Sequence, residues 1–217
     1  MTLSVDVFYS FRSPYCYVLN ARLRKLEAEW DARVVLRPVY PIAIRDRDFF
    51  KRTDPLRRAY HILDAAREAE YLGLPYRRPV PDPVVSDLEK DTFAEDQPHI
   101  HRLVRLAQAA ARNGDGLPFA DAVMTLLWDG QTDNWHEGDH LAQTIDGAGL
   151  NYAALAATAE HEPEALDAEI EANQVAQRTA GHWGVPLMTF DGEPFYGQDH
   201  FDQLLWRMKR GGLSARS

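Results

Sequence analysis

The feature that most constrains this chain is an abrupt change from strand to helix near its start. Leu3 to Phe11 is rich in Val, Phe and Tyr, the composition of a buried strand. Ser13-Pro14 follows at once. Serine is a good N-cap, and proline suits the first helical position, where its missing N–H costs nothing. Val18, Leu19, Leu23, Leu26 and Trp30 then recur at helical spacing, and Val34 to Val39 reads as a second strand ended by Pro41. Strand, helix and strand in so short a span imply a parallel pair joined by a right-handed crossover. An α/β fold is the expectation from the first forty or so residues.

The middle of the chain has a different character. Leu56 to Leu72 is an amphipathic helix with Gly73 as its stop and Pro75 behind it. Residues 75 to 98, rich in proline and acid, read as an extended connection. Ile100, Leu103, Val104, Ala107, Ala110 and Ala111 mark another helix, broken at Gly114 and Gly116, and Phe119 to Trp128 a further one. Leu141 to Ala148 and Tyr152 to Ala159 are shorter helices, and Glu164 to Ala180 a longer one. The pattern changes back at Gly184. Leu187 to Phe190 reads as a strand, Asp191-Gly192 as a tight hairpin turn, and Pro194 to Tyr196 as the return strand. Phe201, Leu204, Leu205 and Met208 give a closing helix that ends at Gly211.

Composition excludes several function classes. The net charge of −9 repels phosphate backbones, so nucleic acid is not an expected partner. A chain of 217 residues, 45% of them hydrophobic, can bury its own core without disulfides or metals. Its one cysteine, Cys16, rules out an intrachain disulfide and fits a reducing compartment. The opening Met-Thr-Leu-Ser-Val-Asp has no basic stretch, and Asp6 interrupts the apolar run too early for a signal peptide; no apolar run is long enough to span a membrane. A cytoplasmic protein is expected.

The chemistry is expected at the start of the first helix. A helix N-terminus carries unpaired N–H groups and a partial positive charge, which favour an anion such as a thiolate. The four residues there are Ser13-Pro14-Tyr15-Cys16, with serine and cysteine at the two ends. Phe8-Tyr9-Ser10-Phe11-Arg12-Ser13-Pro14-Tyr15 resembles the opening of the 2-hydroxychromene-2-carboxylate isomerases and kappa-class glutathione transferases, in the DsbA-like branch of the thioredoxin fold. Gly184-Val185-Pro186 and Gly192 to Asp199 resemble later segments of that group, as do Tyr60, Asp64, Arg67 and Ala69 leading into Leu72-Gly73-Leu74-Pro75.

The resemblance implies a thioredoxin-like fold interrupted by a large all-helical insertion. Residues 1–45 and 182–217 would form the thioredoxin-like part and 46–181 the insertion. It implies that Ser13 hydrogen-bonds the sulfur of bound glutathione, where the fold's redox members carry their first cysteine. Val185-Pro186 would be the cis-proline site pairing with glutathione's cysteinyl segment, and Gln198 and Asp199 would hold its γ-glutamyl end. The implied activity is glutathione-dependent isomerisation or conjugation of a small electrophile, aromatic ones included, by a homodimer. The chain departs from the group's pattern at Ser10, where aspartate is frequent, at Leu187 in place of threonine, and at His200 in place of arginine. The loop Phe49 to Pro55 has no asparagine. These departures bear on the second substrate.

Two other readings compete. Cys16, alone on the inner face of a helix, is first a small buried hydrophobe, but a thiol-disulfide oxidoreductase would work through it. His136-Glu137-Gly138-Asp139-His140 matches H-E-x-x-H, with Glu160 beyond it, the pattern of a zinc hydrolase. Gly138 in its middle and Asp133-Asn134 before it point instead to a polar turn opening a helix, so no metal site is expected. His99 and His101 read as surface residues. A fold that has lost catalysis and only binds is the remaining possibility. Arg57-Arg58 and Arg77-Arg78 read as solvated, or as the insertion's contact with an anionic substrate.

Overall fold

A computed structural model describes residues 2–87 and 92–216. Strand β1 (Leu3–Tyr9) runs into helix α1 (Pro14–Glu29), which returns to strand β2 (Ala32–Pro38). Near the other end, strands β5 (Leu187–Phe190) and β6 (Glu193–Tyr196) form a hairpin followed by helix α9 (Phe201–Arg210). The two segments build one four-stranded sheet in the order β2-β1-β5-β6. β1 and β2 are parallel, Leu3 opposite Ala32 and Tyr9 opposite Pro38; β5 is antiparallel to β1, Phe8 opposite Leu187. The hairpin turns at Asp191 and Gly192, both at positive φ, as the Asp-Gly pair predicts.

Between the two halves of the sheet lie the remaining elements. A single turn α2 (Ile42–Arg45) and a 3₁₀ turn (Phe50–Arg52) precede α3 (Pro55–Tyr71). Within the stretch read as a plain extended connection, β3 (Ser86–Asp87) and β4 (Thr92–Phe93) pair as a two-stranded ribbon. Then come α4 (Pro98–Arg112), α5 (Gly116–Trp128), α6 (His140–Gly147), α7 (Tyr152–His161) and α8 (Pro163–Thr179).

The core sits where α4 and α5 pack on β2, with α1 against α5 and with α7 and α8 against α4. Eight residues of α4 are buried, among them Ile100, Leu103, Val104 and Ala107, the i, i+3, i+4, i+7 stripe. Gly116 does not break the helix but starts α5, and it is packed so closely that an added Cβ would meet Leu36 Cβ at 2.7 Å.

α3 is lightly packed. The helix read over Leu56 to Leu72 forms, yet only Ala65 and Ala69 of its 17 residues are buried. His99 and His101 differ from the surface placement expected: both are half-buried, His101 tilted on Tyr40 at 4.8 Å and His99 against His136 at 4.4 Å.

Candidate functional site

The site grows from the end of β1. Ser13, in extended conformation, caps α1: its hydroxyl oxygen accepts from the Cys16 N–H at 3.4 Å. Pro14 has no N–H, so the helix's positive end is presented by the residues just behind it. A hydroxyl that accepts in this way keeps its own proton to donate. Ser13 is 9% exposed. Cys16 lies one turn inside the helix and is fully buried, its sulfur accepting from the Ser10 N–H at 3.5 Å. Burial pushes the Cys16 thiol up to about 12, against smaller lowering effects from hydrogen bonds with Ser10 and Ser13. Its thiolate is therefore negligible at neutral pH.

Ser13 opens into a cleft of about 210 Å³ that is also lined by Ser10, Tyr15, Gly184, Val185 and Tyr196. The Val185–Pro186 bond is cis, in line with the resemblance; a second cis bond, Val80–Pro81, had no sequence signal. Val185 thus shares the cleft with Ser13, while Pro186 is buried behind it and its carbonyl accepts from Gly197 N–H at 2.9 Å.

Gln198 and Asp199 are not in the cleft lining. They form a 3₁₀ turn with His200, and it is His200, not Asp199, that stands at the N-cap of α9. Gln198 is buried and turned inward: its amide donates to Glu68 Oε2 at 2.8 Å, tying this turn to α3, and its Oε1 has no partner. Asp199 is exposed, with its carboxylate 3.4 Å from His200 Nδ1. Burial raises the Tyr196 phenol, Arg57 lowers it, and the nearby Asp199 charge adds a smaller rise.

The conspicuous trio Tyr60, Asp64 and Arg67 serves as a clamp on α3. The Tyr15 hydroxyl donates to Asp64 Oδ2 at 2.6 Å, Arg67 pairs with the same carboxylate, and Arg67 reaches the Tyr60 hydroxyl at 3.3 Å. The Tyr15 phenol, first, and Arg67 hold the Asp64 carboxyl below the usual range, while burial and Asp64 push Tyr15 well above the usual phenol range. Tyr15 is thereby fixed two residues from Ser13, its ring edge-on to His61 at 4.9 Å.

The far wall is aromatic and basic. Phe49, Phe50, Phe93 and Trp183 line it together with Arg12, Arg45, Arg57, Arg58 and Arg78. Arg12 makes a two-bond pair with Asp82 at 2.8 and 3.1 Å, and Arg78 shares that carboxylate at 3.3 Å. Arg57 lies over the rings of Phe49 and Trp183, at 5.0 and 5.8 Å. Arg45 donates to Gln177 Oε1 and to the Trp183 carbonyl, each at 3.0 Å, and so fixes the segment leading into Val185. Burial, with Arg178 nearby, lowers its guanidinium to about 10. Of the four arginines singled out in the sequence, three line the cleft, while Arg77 turns away to Asp133.

Sequence reasoning missed Ser10, Tyr196, Arg45 and Trp183. Ser10 had registered only as a departure, yet its hydroxyl is buried without a partner at the cleft. His136 and Glu137 lie in a turn, and α6 begins only at His140, so the two histidines share no helix face. Among the described residues no group of three or more His, Cys, Asp or Glu side chains is placed to hold a metal ion, and no helix is long and apolar enough to cross a membrane.

The chain belongs to the DSBA-like thioredoxin domain family, whose model matches residues 4–209. No match was found among curated proteins. Among solved structures it resembles a 2-hydroxychromene-2-carboxylate isomerase, with a TM-score of 0.72 at 17% identity over 96% of this chain and 95% of that one. It also resembles a probable DsbA oxidoreductase from Streptomyces coelicolor (0.64, 20%, 94% and 89%). A third likeness is to the cytosolic disulfide reductase DsbM from Pseudomonas aeruginosa with GSH (0.56, 16%, 96% and 100%). At these identities the likeness is one of fold: a thioredoxin-like α/β fold with its helical insertion.

Proposed function

We propose that this DSBA-like protein is a glutathione-dependent isomerase or transferase that acts on a small electrophile carrying a negative charge. One observation carries the reading. The helix-start position that faces the cleft holds a hydroxyl, and the chain's lone sulfur is sealed one turn behind it with its thiol pushed up to about 12. A helix start that favours an anion, with no usable thiolate of the protein's own beside it, supports a thiol supplied from outside. The unpartnered Ser10 hydroxyl beside Ser13 supports the same conclusion.

In this reading Ser13 donates its proton to the glutathione sulfur, and the end of α1 favours the thiolate over the thiol. Val185 pairs with the cysteinyl segment, and the γ-glutamyl end extends past Tyr196 toward Asp199. The thiolate adds to the β-carbon of an unsaturated carbonyl, forming a C–S bond while the π electrons move to the carbonyl oxygen. The former double bond rotates. An isomerase then returns the electrons and expels the thiolate; a transferase protonates the enolate and releases the adduct. Arg57, Arg58 and Arg78, set among aromatic rings, suit an anionic, unsaturated substrate.

Thermal unfolding with glutathione tests this. At tenfold its dissociation constant, a ligand specific to the native state adds about 1.4 kcal/mol, a rise of roughly 3–6 °C for a chain of this size. S-methylglutathione, whose thioether sulfur cannot ionise, is the control: Ser13→Ala is expected to abolish the advantage of glutathione over it. Cys16→Ala is expected to keep the shift. No shift at millimolar glutathione, or one lost in Cys16→Ala and kept in Ser13→Ala, overturns the proposal and favours thiol-disulfide exchange.

A further inference from the structure

α3 turns one side to the cleft. Arg57, Arg58, His61 and Ile62 line it, at the spacing of neighbours on one helix face, and the same face runs on into the buried Ala65 and Ala69. The start of α1, from Ser13 to Tyr15, lines the same cleft. His61 meets that start: its ring stands edge-on to the Tyr15 ring, with centroids 4.9 Å apart. Among the described residues, neither of its ring nitrogens has a hydrogen-bond partner. An imidazole aimed into a cleft with both nitrogens unspent has proton capacity that the fold does not use.

The other polar groups of the cleft are poorly suited to carry a proton near neutrality. The Tyr15 hydroxyl is given to Asp64. The phenols of Tyr76 and Tyr196 are raised, chiefly by burial. Arginines stay charged, and Asp87 already has a partner. Histidine is the side chain that gives and takes a proton between about pH 5 and 8. Around His61, loss of water comes first, and then Arg57 and Arg78 hold the imidazole below its ordinary range; Asp64 acts the other way, and Arg12 adds a smaller lowering. These charges come from α3 itself, from the segment before β3 and from the turn into α1. A neutral ring in such a setting can accept a proton, and the surrounding arginines press it to give the proton up again. A thiolate in the cleft would offset that pressure while both are present.

We infer that His61 is the proton carrier of the cleft: it takes the thiol proton of incoming glutathione and, in conjugation, delivers it to the enolate. The inference rests on the proposed function. The S–H bond breaks with its electrons left on sulfur, and an N–H bond forms on His61. The thiolate adds to the β-carbon. His61 then returns its proton to the α-carbon, the enolate electrons re-form the carbonyl, and the ring is neutral again. Isomerisation expels the thiolate before that last transfer, so the timing of the His61 proton divides the two outcomes.

The test follows the proton on binding, without a second substrate. At about pH 7.5, roughly a unit above the ordinary imidazole value, free glutathione is mostly thiol and His61 is neutral. Wild type is expected to show the ultraviolet band of a bound thiolate, yet to release close to no proton, as counted by calorimetry in buffers of different ionisation enthalpy. The ¹⁵N shifts of His61 are expected to move to imidazolium values with saturating glutathione and to stay put with S-methylglutathione. His61→Gln, whose amide cannot hold the proton, is expected either to release about 0.9 proton per thiolate bound or to bind glutathione without forming the thiolate. Should that variant fail to fold, the wild-type measurements decide alone. A wild type that forms the thiolate and releases about 0.9 proton, a His61 ring that stays neutral, or a variant that matches wild type in both band and proton count overturns the inference and leaves the proposed function standing. Glutathione that fails to bind, or binds wild type without the thiolate band, overturns the proposed function and this inference with it.

Discussion

α3 and α4 are of similar length and each begins with proline, yet they are held in opposite ways. α4 buries eight of its 15 residues between β2, α5, α7 and α8. α3 buries two of 17, and is fastened to the rest by polar bonds at chosen points: Asp64 to Tyr15 beside the helix cap, and Glu68 to Gln198 beside the last turn of the site. The first helix contributes bulk stability and touches no cleft residue's chemistry. The second contributes little stability and sets the cleft's geometry. The division is physically sensible: apolar burial is strong and undirected, whereas a charged hydrogen bond is weaker but fixes an atom's position.

The contrast can be broken by substitution. The largest expected effect is on α4: Leu103→Ala empties a fully buried site and is expected to cost about 2–5 kcal/mol, lowering the thermal midpoint by several degrees while leaving glutathione affinity of the folded protein unchanged. Next, under the proposed function, Ser13→Ala is expected to remove a bond to a charged sulfur worth about 1.5–3 kcal/mol, a loss of roughly 10- to 150-fold in thiolate affinity; of global stability it takes about 1 kcal/mol, the value of an N-cap. Asp64→Asn is expected to cost about 1 kcal/mol and to disturb turnover more than stability. The Asp64 carboxyl is held low in the folded protein, so its stabilisation is in place above the ordinary carboxylate range near pH 4 and is lost as pH falls through the lowered value. A urea titration from pH 3 to 7 should therefore show wild type and Asp64→Asn converging at the acid end. The smallest effect belongs to Leu56→Ala on the exposed face of α3, expected within about 0.5 kcal/mol.

How far the sequence could be read follows from the same division. The β-α-β opening, the Asp-Gly hairpin, the Ser13 cap and the stripe of α4 were legible because each rests on neighbours in the chain: period, cap and turn chemistry act locally. Placing Ser13 with Val185 came from a resemblance, and the cis bond at Val185–Pro186 agrees with it. What was illegible depends on contacts between distant residues. Nothing in the spacing of Tyr60, Asp64 and Arg67 reveals that their object is Tyr15. Nothing around Arg45 shows that it grips the Trp183 carbonyl. Ser10 seemed a missing aspartate and is a buried hydroxyl at the cleft. The helix α3 was legible but its burial was not: helical periodicity shows that a face is apolar, not whether the core or the solvent side receives it.

The sheet order carries one more consequence. β5 slots in beside β1, and between them in the chain lie all the helices from α1 to α8. The chain through α8 must therefore be made before Val185 can come to share the cleft with Ser13. Until then the growing protein has a capped helix but no cleft. Closure of the cleft waits on contacts distant in the chain: recovery of glutathione binding on refolding is expected to trail recovery of helical signal, because the last contact to close is the one that makes the site.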